Sequence, residues 1–343
     1  MNLKFLIIGL GSMGKRRIRN LFANHERDII GFDIRPDRNE EAKTKYGIKI
    51  VNSIGDISPQ DFDAIIISTS PESHGDYIRF ALQHKKHFFI EHPVTTDGYE
   101  DIFKSKDLDI IKAPSCTLRY YAPIKMMAEI ITENKIGKIL AFQYHMGQYL
   151  PDWHPWEDYR QVYFSKKETG ACREMLPFEL IWLNWILKSE VAEISGFIGK
   201  ISDLDMDADD IILANLQYEN GILGNIIIDV VSRKPFSTLR LLGSTGVLEW
   251  ERYDSIIKVY NSDSGKTETI IVPKGQPAAG YINEEEIYND EMKAFLQAIK
   301  EKKKYPYTFE ENYRLLKTLF ALEESSRTRR VIFLKEYAKN HQN

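Results

Sequence analysis

The sequence contains little cysteine, with only Cys116 and Cys172 among its 343 residues. Two cysteines cannot form the disulfide framework of a small secreted domain, and neither lies in a spacing typical of zinc ligands. We therefore expect no metal centre, and the low cysteine content favours the reducing environment of the cytoplasm.

Long apolar runs and an excess of one charge are also missing. The 46 basic and 50 acidic residues leave a net charge of −4, which gives no electrostatic reason to expect nucleic acid or an anionic membrane as a partner. No run approaches the roughly 18–20 apolar residues of a membrane helix. The apolar start of the chain is short and lacks a small-residue cleavage site, so we interpret it as a first strand rather than a signal peptide.

The length and the composition, 43% hydrophobic and 28% charged, suggest two domains, each with its own core. We place them at residues 1–120 and 121–343. The first third alternates short apolar strands with helices, and the strands are predicted at residues 3–9, 28–33, 64–68 and 87–91. That alternation is typical of an α/β domain whose parallel sheet is covered on both faces.

The pattern changes after residue 120. Helices are predicted at residues 123–133 and 177–187, with Pro177 in the first turn of the second one. Strands are predicted at residues 139–149, 191–200, 211–218, 222–231, 238–242, 247–250 and 256–260. Short turns such as Glu219-Asn220-Gly221 separate several of these strands, which indicates antiparallel pairing.

One glycine motif follows the first strand and opens the first helix. It consists of Gly9, Leu10, Gly11, Ser12, Met13 and Gly14. In a dinucleotide-binding loop, Gly9 would permit the tight turn, Gly11 would let the backbone approach the pyrophosphate, and Gly14 would allow close helix–strand packing. The pyrophosphate would bind at the helix N-terminus, where free N–H groups favour anions.

Asp33 lies nineteen residues after Gly14, at the end of the second predicted strand. A carboxylate at this place binds the adenosine ribose hydroxyls and repels a 2′-phosphate, so it favours NAD. Arg35 and Arg38 follow and could partly offset that repulsion, which leaves NADP open. The alternative is a glycine turn in a different α/β fold.

With these motifs the chain resembles the glucose-fructose oxidoreductase / inositol dehydrogenase / MocA family over nearly its whole length. Four segments carry the resemblance: residues 9–14, 68–94, 117–139 and 169–187. It implies a Rossmann domain followed by an α+β domain with a large, open, mostly antiparallel sheet. It also implies homodimers or homotetramers joined through that sheet, and sugars or cyclitols as substrates.

The resemblance extends the expected cofactor site beyond the glycine loop. The added residues are Thr69, Ser70, Pro71, His74, Glu91 and His92. Family members place lysine in a Glu-Lys-Pro motif where this sequence has His92, and the family's Asp-x-x-x-His pair falls on Glu174 and Phe178. Phenylalanine cannot transfer a proton, so the usual proton-transfer groups are partly missing.

Two replacements for them are visible. His92 could act as the acid/base, since imidazole titrates near neutral pH, or it could only line the cofactor site. An aromatic and charged loop at residues 149–160 could bind a sugar, or its rings could simply pack on the sheet. From this loop and its surroundings we predict a substrate site formed by Arg119, Trp153, His154, Trp156, Tyr159, Arg160, Arg173 and Glu174.

We expect from this an NAD(P)-dependent oxidoreductase that acts on a secondary alcohol or ketone of a sugar derivative. His92 would move the proton, and Tyr159 would be a second proton donor. The substrate would be oriented by Glu174, Arg173 and His154. The loop also resembles that of family members from bacterial surface-sugar biosynthesis. Two alternatives remain: a dinucleotide-binding sensor without turnover, and NAD-assisted elimination or hydrolysis of a glycoside.

Overall fold

The computed structural model of the chain describes residues 3–155, 157–278 and 283–340. They form two compact units. The first contains the described residues of Met1–Tyr120 and Gly275–Tyr313, and the second contains those of Tyr121–Lys274 and Arg314–Asn343. The sequence prediction placed residues 121–343 together, so the two divisions differ over Gly275–Tyr313.

The sheet of the first unit is parallel throughout. Its strands are β1 (Lys4–Ile8), β2 (Asp28–Phe32), β3 (Lys49–Ile50), β4 (Ala64–Ile67), β5 (His87–Ile90) and β6 (Lys112–Pro114). They lie in the order β3-β2-β1-β4-β5-β6, which is the doubly wound order of a Rossmann domain. Every residue of β4 is buried because helices can cover both faces of such a sheet.

Helices account for most of the remaining regular structure. They are α1 (Ser12–Ala23), α2 (Pro36–Tyr46), α3 (His74–Gln83), α4 (Tyr99–Lys104), α5 (Ala122–Thr132), α6 (Ala171–Leu187), α7 (Glu285–Lys300), α8 (Phe309–Thr328) and α9 (Leu334–Asn340). No helix in the described ranges is long and apolar enough to cross a membrane.

A larger, mixed sheet forms the second unit. Its strands are β7 (Ile139–Tyr149), β8 (Val191–Gly199), β9 (Ile211–Tyr218), β10 (Leu223–Asp229), β11 (Val231–Gly243), β12 (Gly246–Glu251), β13 (Ile256–Asn261), β14 (Lys266–Ile271) and β15 (Ile332–Phe333). Their order is β14-β13-β12-β11-β7-β10-β9-β8-β15. The pair β7–β10 is parallel and the other pairs are antiparallel, which confirms the predicted fold class.

The two faces of this sheet differ. On one face Tyr144 and Trp182 pack edge to face, with ring centroids 5.4 Å apart, and join the sheet to α6. On the other face the paired residues Tyr260, Val247, Leu242, Ala141 and Leu223 form an apolar row across five strands. Leu223 is 55% exposed, so α6 leaves this second face uncovered.

The start of α6 corrects one sequence prediction. The helix begins at Ala171, and Pro177 lies inside it instead of in its first turn. A proline often marks the first turn of a helix, but here burial of Ala171, Cys172 and Leu176 stabilises the earlier turn and offsets the hydrogen bond that Pro177 cannot donate. Because α6 begins at Ala171, Glu174 lies on the first turn of the helix.

Candidate functional site

The glycine motif forms a tight turn between β1 and α1. Gly9 has φ +89°, in the left-handed region that favours glycine. A Cβ on Gly14 would lie 1.8 Å from the Gly9 carbonyl oxygen, so helix and loop pack too closely for any side chain there. A Cβ on Gly11 would meet only the end of the Arg38 side chain, at 3.2 Å. The glycine loop leads into the N-terminus of α1, which begins with Ser12 and Met13. This arrangement fits a pyrophosphate group.

Asp33 is fixed beside this loop. Its Oδ2 accepts a hydrogen bond from the Leu10 backbone N–H at 2.7 Å, and its Oδ1 accepts one from the Arg35 N–H at 2.8 Å. The Asn39 side chain bonds both the N–H and the carbonyl of Asp33, at 2.9 and 2.8 Å. The carboxylate therefore has a single defined position, as a ribose-binding group needs.

The two arginines that follow Asp33 point differently. The Arg35 guanidinium pairs with Asp37, and the closest nitrogen–oxygen distance is 2.5 Å. Arg38 Nη1 lies 3.7 Å from Asp33 Oδ2, so its guanidinium is beside the carboxylate that is predicted to bind the ribose. The sequence alone could not separate these two residues.

The loop after β4 is supported from within the first unit. His74 Nε2 lies 3.1 Å from the Thr69 carbonyl oxygen, and the turn of Pro71 follows Ser70 directly. Burial lowers the pKa of His74 to about 4, although the bond to Thr69 opposes that shift. His74 is therefore neutral at physiological pH and fits a structural role in the cofactor loop.

The residue before His92 belongs to a buried ion-pair cluster. Arg17 of α1 is fully buried and bonds both carboxylate oxygens of Glu91, at 2.6 and 2.9 Å. Its Nη2 also bonds Glu291 of α7 at 2.9 Å. Such a bidentate pair holds the main chain of Glu91, and with it the start of the His92 segment, in one place. His92 itself is 9% exposed.

Glu291 was not anticipated from the sequence. Besides Arg17, it accepts hydrogen bonds from Ser115 Oγ at 3.0 Å, the Cys116 N–H at 2.6 Å and Thr117 Oγ1 at 2.8 Å. Burial raises the pKa of Glu291 and Arg17 opposes that shift. A single acidic residue among the buried positions of α7 belongs to no recognisable sequence motif. Only the fold shows that Glu291 contacts Arg17 and the segment at residues 115–117.

In the second unit, Glu174 is the most unusual of the predicted residues. Its Oε1 accepts a hydrogen bond from the Tyr163 hydroxyl at 3.0 Å. Its Oε2 is buried and has no hydrogen-bond partner among the described residues, although the residue as a whole is partly exposed. Burial raises the pKa of Glu174 to about 7, and the bond from Tyr163 limits the rise.

Tyr163 also escaped the sequence prediction. Thr169 Oγ1 donates a hydrogen bond to the Tyr163 carbonyl at 2.8 Å, which ties the segment to the start of α6. A Cβ on Gly170 would lie 2.1 Å from the Phe164 carbonyl oxygen, so glycine is needed for this approach. Gly170 was visible in the sequence as a turn, but its neighbour in space was not.

The aromatic loop folds around Phe164. The Trp153 ring lies 5.5 Å from that of Phe164 and the His154 ring 5.2 Å from it, between centroids. His154 Nδ1 is 2.6 Å from Glu157 Oε1. Trp156, predicted as a substrate contact, lies outside the described residues.

Tyr159 and Arg160 face the acidic segment at residues 202–210. The Tyr159 hydroxyl accepts a hydrogen bond from the Asp205 N–H at 3.1 Å. Arg160 forms ion pairs with Asp158 at 2.6 Å and with Asp205 at 3.7 Å. These contacts hold the loop in place, and a role of either residue in substrate binding stays a prediction.

The remaining two predicted substrate contacts also have partners within their own units. Arg173 pairs with Glu323 at 2.7 Å. Arg119 lies over the Tyr307 ring at 4.5 Å and pairs with Glu311 at 3.5 Å. The structure therefore brings Glu174, Tyr163 and the Trp153–His154 loop into one unit, and the cofactor residues into the other.

Two family models match the chain. A model described as an oxidoreductase family with an NAD-binding Rossmann fold matches residues 3–111, and the Gfo/Idh/MocA C-terminal domain matches residues 124–249. Among curated relatives, myo-inositol 2-dehydrogenase from Thermotoga maritima is 23% identical, over 96% of this chain and 98% of that protein. Inositol 2-dehydrogenase from Salmonella typhimurium is 25% identical over 67% of each.

Solved structures share the fold over almost the whole chain. An oxidoreductase from Agrobacterium radiobacter in complex with NAD+, L-tartaric acid and magnesium has a TM-score of 0.87 at 15% identity, covering 98% of this chain and 99% of that one. Levoglucosan dehydrogenase in complex with NADH has a TM-score of 0.83 at 19% identity, covering 97% and 99%. At these identities the likeness extends to the fold alone.

Proposed function

The chain belongs to the Gfo/Idh/MocA oxidoreductase family, and from that premise we propose that it moves a hydride between NAD and a secondary alcohol or ketone of a sugar or cyclitol. The family assignment makes it an oxidoreductase with an NAD-binding Rossmann domain. When bound, NAD accepts the hydride from a carbinol carbon or returns it to the carbonyl. The protein must then move the matching proton.

The observation that carries the proposal is the carboxyl group of Glu174. A group whose pKa lies near 7 can both take and give a proton at neutral pH, which is what a general acid/base needs. Burial raises the pKa of Glu174 to about 7. Its buried Oε2 makes no hydrogen bond with the described residues, so it can accept one from a substrate hydroxyl.

In the oxidative direction, Glu174 Oε2 would take the hydroxyl proton while the hydrogen on the carbinol carbon would leave as hydride for bound NAD. In the reductive direction, protonated Glu174 returns the proton to the alkoxide oxygen. Tyr163 bonds the other carboxyl oxygen and fixes the group's orientation. Phe178, at the place of the family's histidine, takes no part in proton transfer.

His92 offers a competing proton route. Arg17 and Glu91 hold the main chain just before it, and it occupies the place of the family's lysine. We propose that His92 contacts the reacting oxygen and assists the transfer.

Two observations support a polyhydroxylated ring as the substrate. The relatives named above act on inositol and on levoglucosan, which are polyhydroxylated rings. In the loop at residues 149–160, Trp153 and His154 pack on Phe164, and we propose that a sugar ring packs its C–H surface on this aromatic cluster. A role in bacterial surface-sugar biosynthesis is part of the same proposal and rests on the resemblance of this loop.

The test is a turnover assay with NAD and a panel of cyclitols, sugars and sugar acids. We expect at least one to produce NADH, seen as absorbance of the reduced cofactor, and Glu174→Gln to lower kcat by about 10²–10⁴. Product formed without net NADH would support the elimination or hydrolysis alternative. Cofactor binding without any product across the panel would support a sensor.

We also propose a domain division, an oligomeric state and a cellular compartment for this protein. We propose residues 1–120 as the core of the dinucleotide-binding domain and residues 121–343 as the source of substrate and subunit contacts. The exposed apolar row of the second sheet supports a homodimer or homotetramer. Two free, buried cysteines are compatible with a cytoplasmic enzyme.

A further inference from the structure

Arg38 stands where the adenosine ribose of a dinucleotide would meet the protein. We propose that Arg38 is the residue that lets this chain accept NADP beside NAD, by offsetting Asp33 and binding the 2′-phosphate. The inference rests on the cofactor part of the proposed function and names the residue that sets its specificity.

The position of Arg38 is defined by two measurements. Its Nη1 lies 3.7 Å from Asp33 Oδ2. The same atom lies 3.2 Å from the point where a Cβ on Gly11 would be. The guanidinium thus lies between the ribose-binding carboxylate and the loop that approaches the pyrophosphate.

Asp33 cannot turn away from a phosphate. Its side chain is 4% exposed, and backbone N–H groups of Leu10 and Arg35 bond its two oxygens. A fixed carboxylate repels a 2′-phosphate, so NADP can bind only if a cation offsets that charge locally.

Other cations near the loop already have anionic partners. Arg35 pairs with Asp37, and the bond from Arg35 lowers the pKa of that carboxyl. Lys15, at the start of α1, pairs with Glu41 at 2.8 Å. The guanidinium of Arg38 instead faces Asp33 itself, at 3.7 Å.

Arg38 is also able to change partner. At 3.7 Å its contact with Asp33 is an ion pair that is too long for a hydrogen bond, and about a third of its side chain is exposed. Turning the guanidinium toward a phosphate would break no hydrogen bond with Asp33. A guanidinium binds phosphate through two parallel N–H groups, which suits a 2′-phosphate.

The test measures equilibrium binding, without turnover. The dissociation constants of NADH and NADPH are measured from the fluorescence of the bound reduced cofactor, for the wild type, Arg38→Ala, Arg38→Lys and the control Arg35→Ala. We expect Arg38→Ala to weaken NADPH by about 10–100-fold, the worth of a charge-assisted hydrogen bond, and NADH by less than about threefold. The NADPH dissociation constant of Arg38→Lys should lie between those of the wild type and Arg38→Ala, because lysine keeps the charge but lacks the two parallel N–H groups of a guanidinium.

Arg35→Ala should leave both dissociation constants within about twofold, since Arg35 pairs with Asp37. Thermal unfolding of each variant shows that it is folded. Equal weakening of both cofactors by Arg38→Ala, or an unchanged NADPH affinity, would overturn the assignment of Arg38. If the wild type bound neither cofactor, the proposed function would fail instead, so the two failures are distinguishable.

Discussion

The hydroxyl group of Tyr163 donates a hydrogen bond to Glu174 Oε1 over 3.0 Å. The two residues come from different elements, the short 3-10 helix Tyr163–Ser165 and the first turn of α6, and Gly170 allows these two elements to approach each other. Where the family's pair is Asp and His, this chain has Glu174 and Phe178. We propose that Tyr163 supplies to Glu174 the hydrogen bond that the phenylalanine at position 178 cannot make.

The first prediction concerns the pH dependence of Tyr163→Phe. The lost hydrogen bond stabilises the carboxylate, so its removal raises the pKa of Glu174 above about 7. Oxidation needs the ionised carboxyl group, and its rate should therefore rise at higher pH than in the wild type. Reduction needs the protonated group, and its rate should persist to higher pH. The measurement is kcat against pH in both directions.

Tyr159→Phe is the matched control for Tyr163→Phe. Its hydroxyl accepts a hydrogen bond from the Asp205 N–H, whereas the hydroxyl that bonds Glu174 belongs to Tyr163. It should leave the midpoint of the pH profile unchanged. If the two variants moved the midpoint equally, or if Tyr163→Phe moved it downward, Glu174 would not be the titrating group.

The second prediction separates the two proton routes. If His92 contacts the reacting oxygen, His92→Ala lowers kcat by about 10²–10⁴ with little change in cofactor affinity. His92→Lys, which restores the family's usual group, should retain partial activity. A His92→Ala enzyme within about threefold of the wild type, beside an inactive Glu174→Gln, would assign the proton to Glu174 alone. A large loss confined to His154 or Tyr159 variants would move it to the loop.

The third prediction compares two glycines of the nucleotide loop. Gly14→Ala places a Cβ 1.8 Å from a backbone oxygen, and we expect it to lower the free energy of unfolding by on the order of 3 kcal/mol or more. Gly11→Val meets only a flexible arginine end, so it should fold and yet weaken both cofactors by blocking backbone approach. Calorimetric unfolding and cofactor titration distinguish the two. Equal stability of both variants would contradict this description of the turn.

The fourth prediction concerns Asp33→Ala. It removes the acceptor for the ribose hydroxyls, so NADH affinity should fall by about 10–100-fold. NADPH affinity should fall less or rise, because a repulsive charge disappears while Arg38 remains. Asp28→Ala, on the exposed first residue of the strand that leads to Asp33, is the control. Unchanged affinity of Asp33→Ala for both cofactors by calorimetry would show that the ribose binds elsewhere.

The fifth prediction addresses subunit association through the second sheet. Leu223 and Leu242 belong to the exposed apolar row, and a charge there would be buried in an assembled interface. Leu223→Glu should therefore shift the sedimentation of the protein toward the monomer at micromolar concentration. Ile34→Glu changes a residue of the first unit that is still more exposed, and it should not shift the sedimentation. A monomeric wild type would remove the proposal.

Much of the fold could be predicted from local patterns. Strand β7 was predicted with its observed bounds, Ile139–Tyr149, because alternation and flanking turns mark a long strand. Strand β14 was missed, since its sequence KTETII is mostly exposed and polar at the edge of the sheet. Edge strands of this kind carry little hydrophobic periodicity.

The candidate site could be predicted only where its residues form a motif with a fixed spacing along the chain. The glycine loop and Asp33 are one such motif, and their geometry fits a dinucleotide. The partners of Arg17 and Glu174 come from residues that no local spacing connects, Glu291 and Tyr163. Contacts of this kind depend on how distant segments pack, which composition and periodicity do not encode.

The contact of Arg17 with Glu291 has a consequence for how the protein is made. A ribosome adding roughly 5–20 residues per second needs about 10–30 s to pass from Tyr120 to Glu291. During that interval Arg17 has Glu91 but lacks its second carboxylate, and α1 lacks the helix that packs along it. A fragment ending at Tyr120 would stay in that state, so the nucleotide-binding part of this chain completes its folding only after most of the second unit has been synthesised.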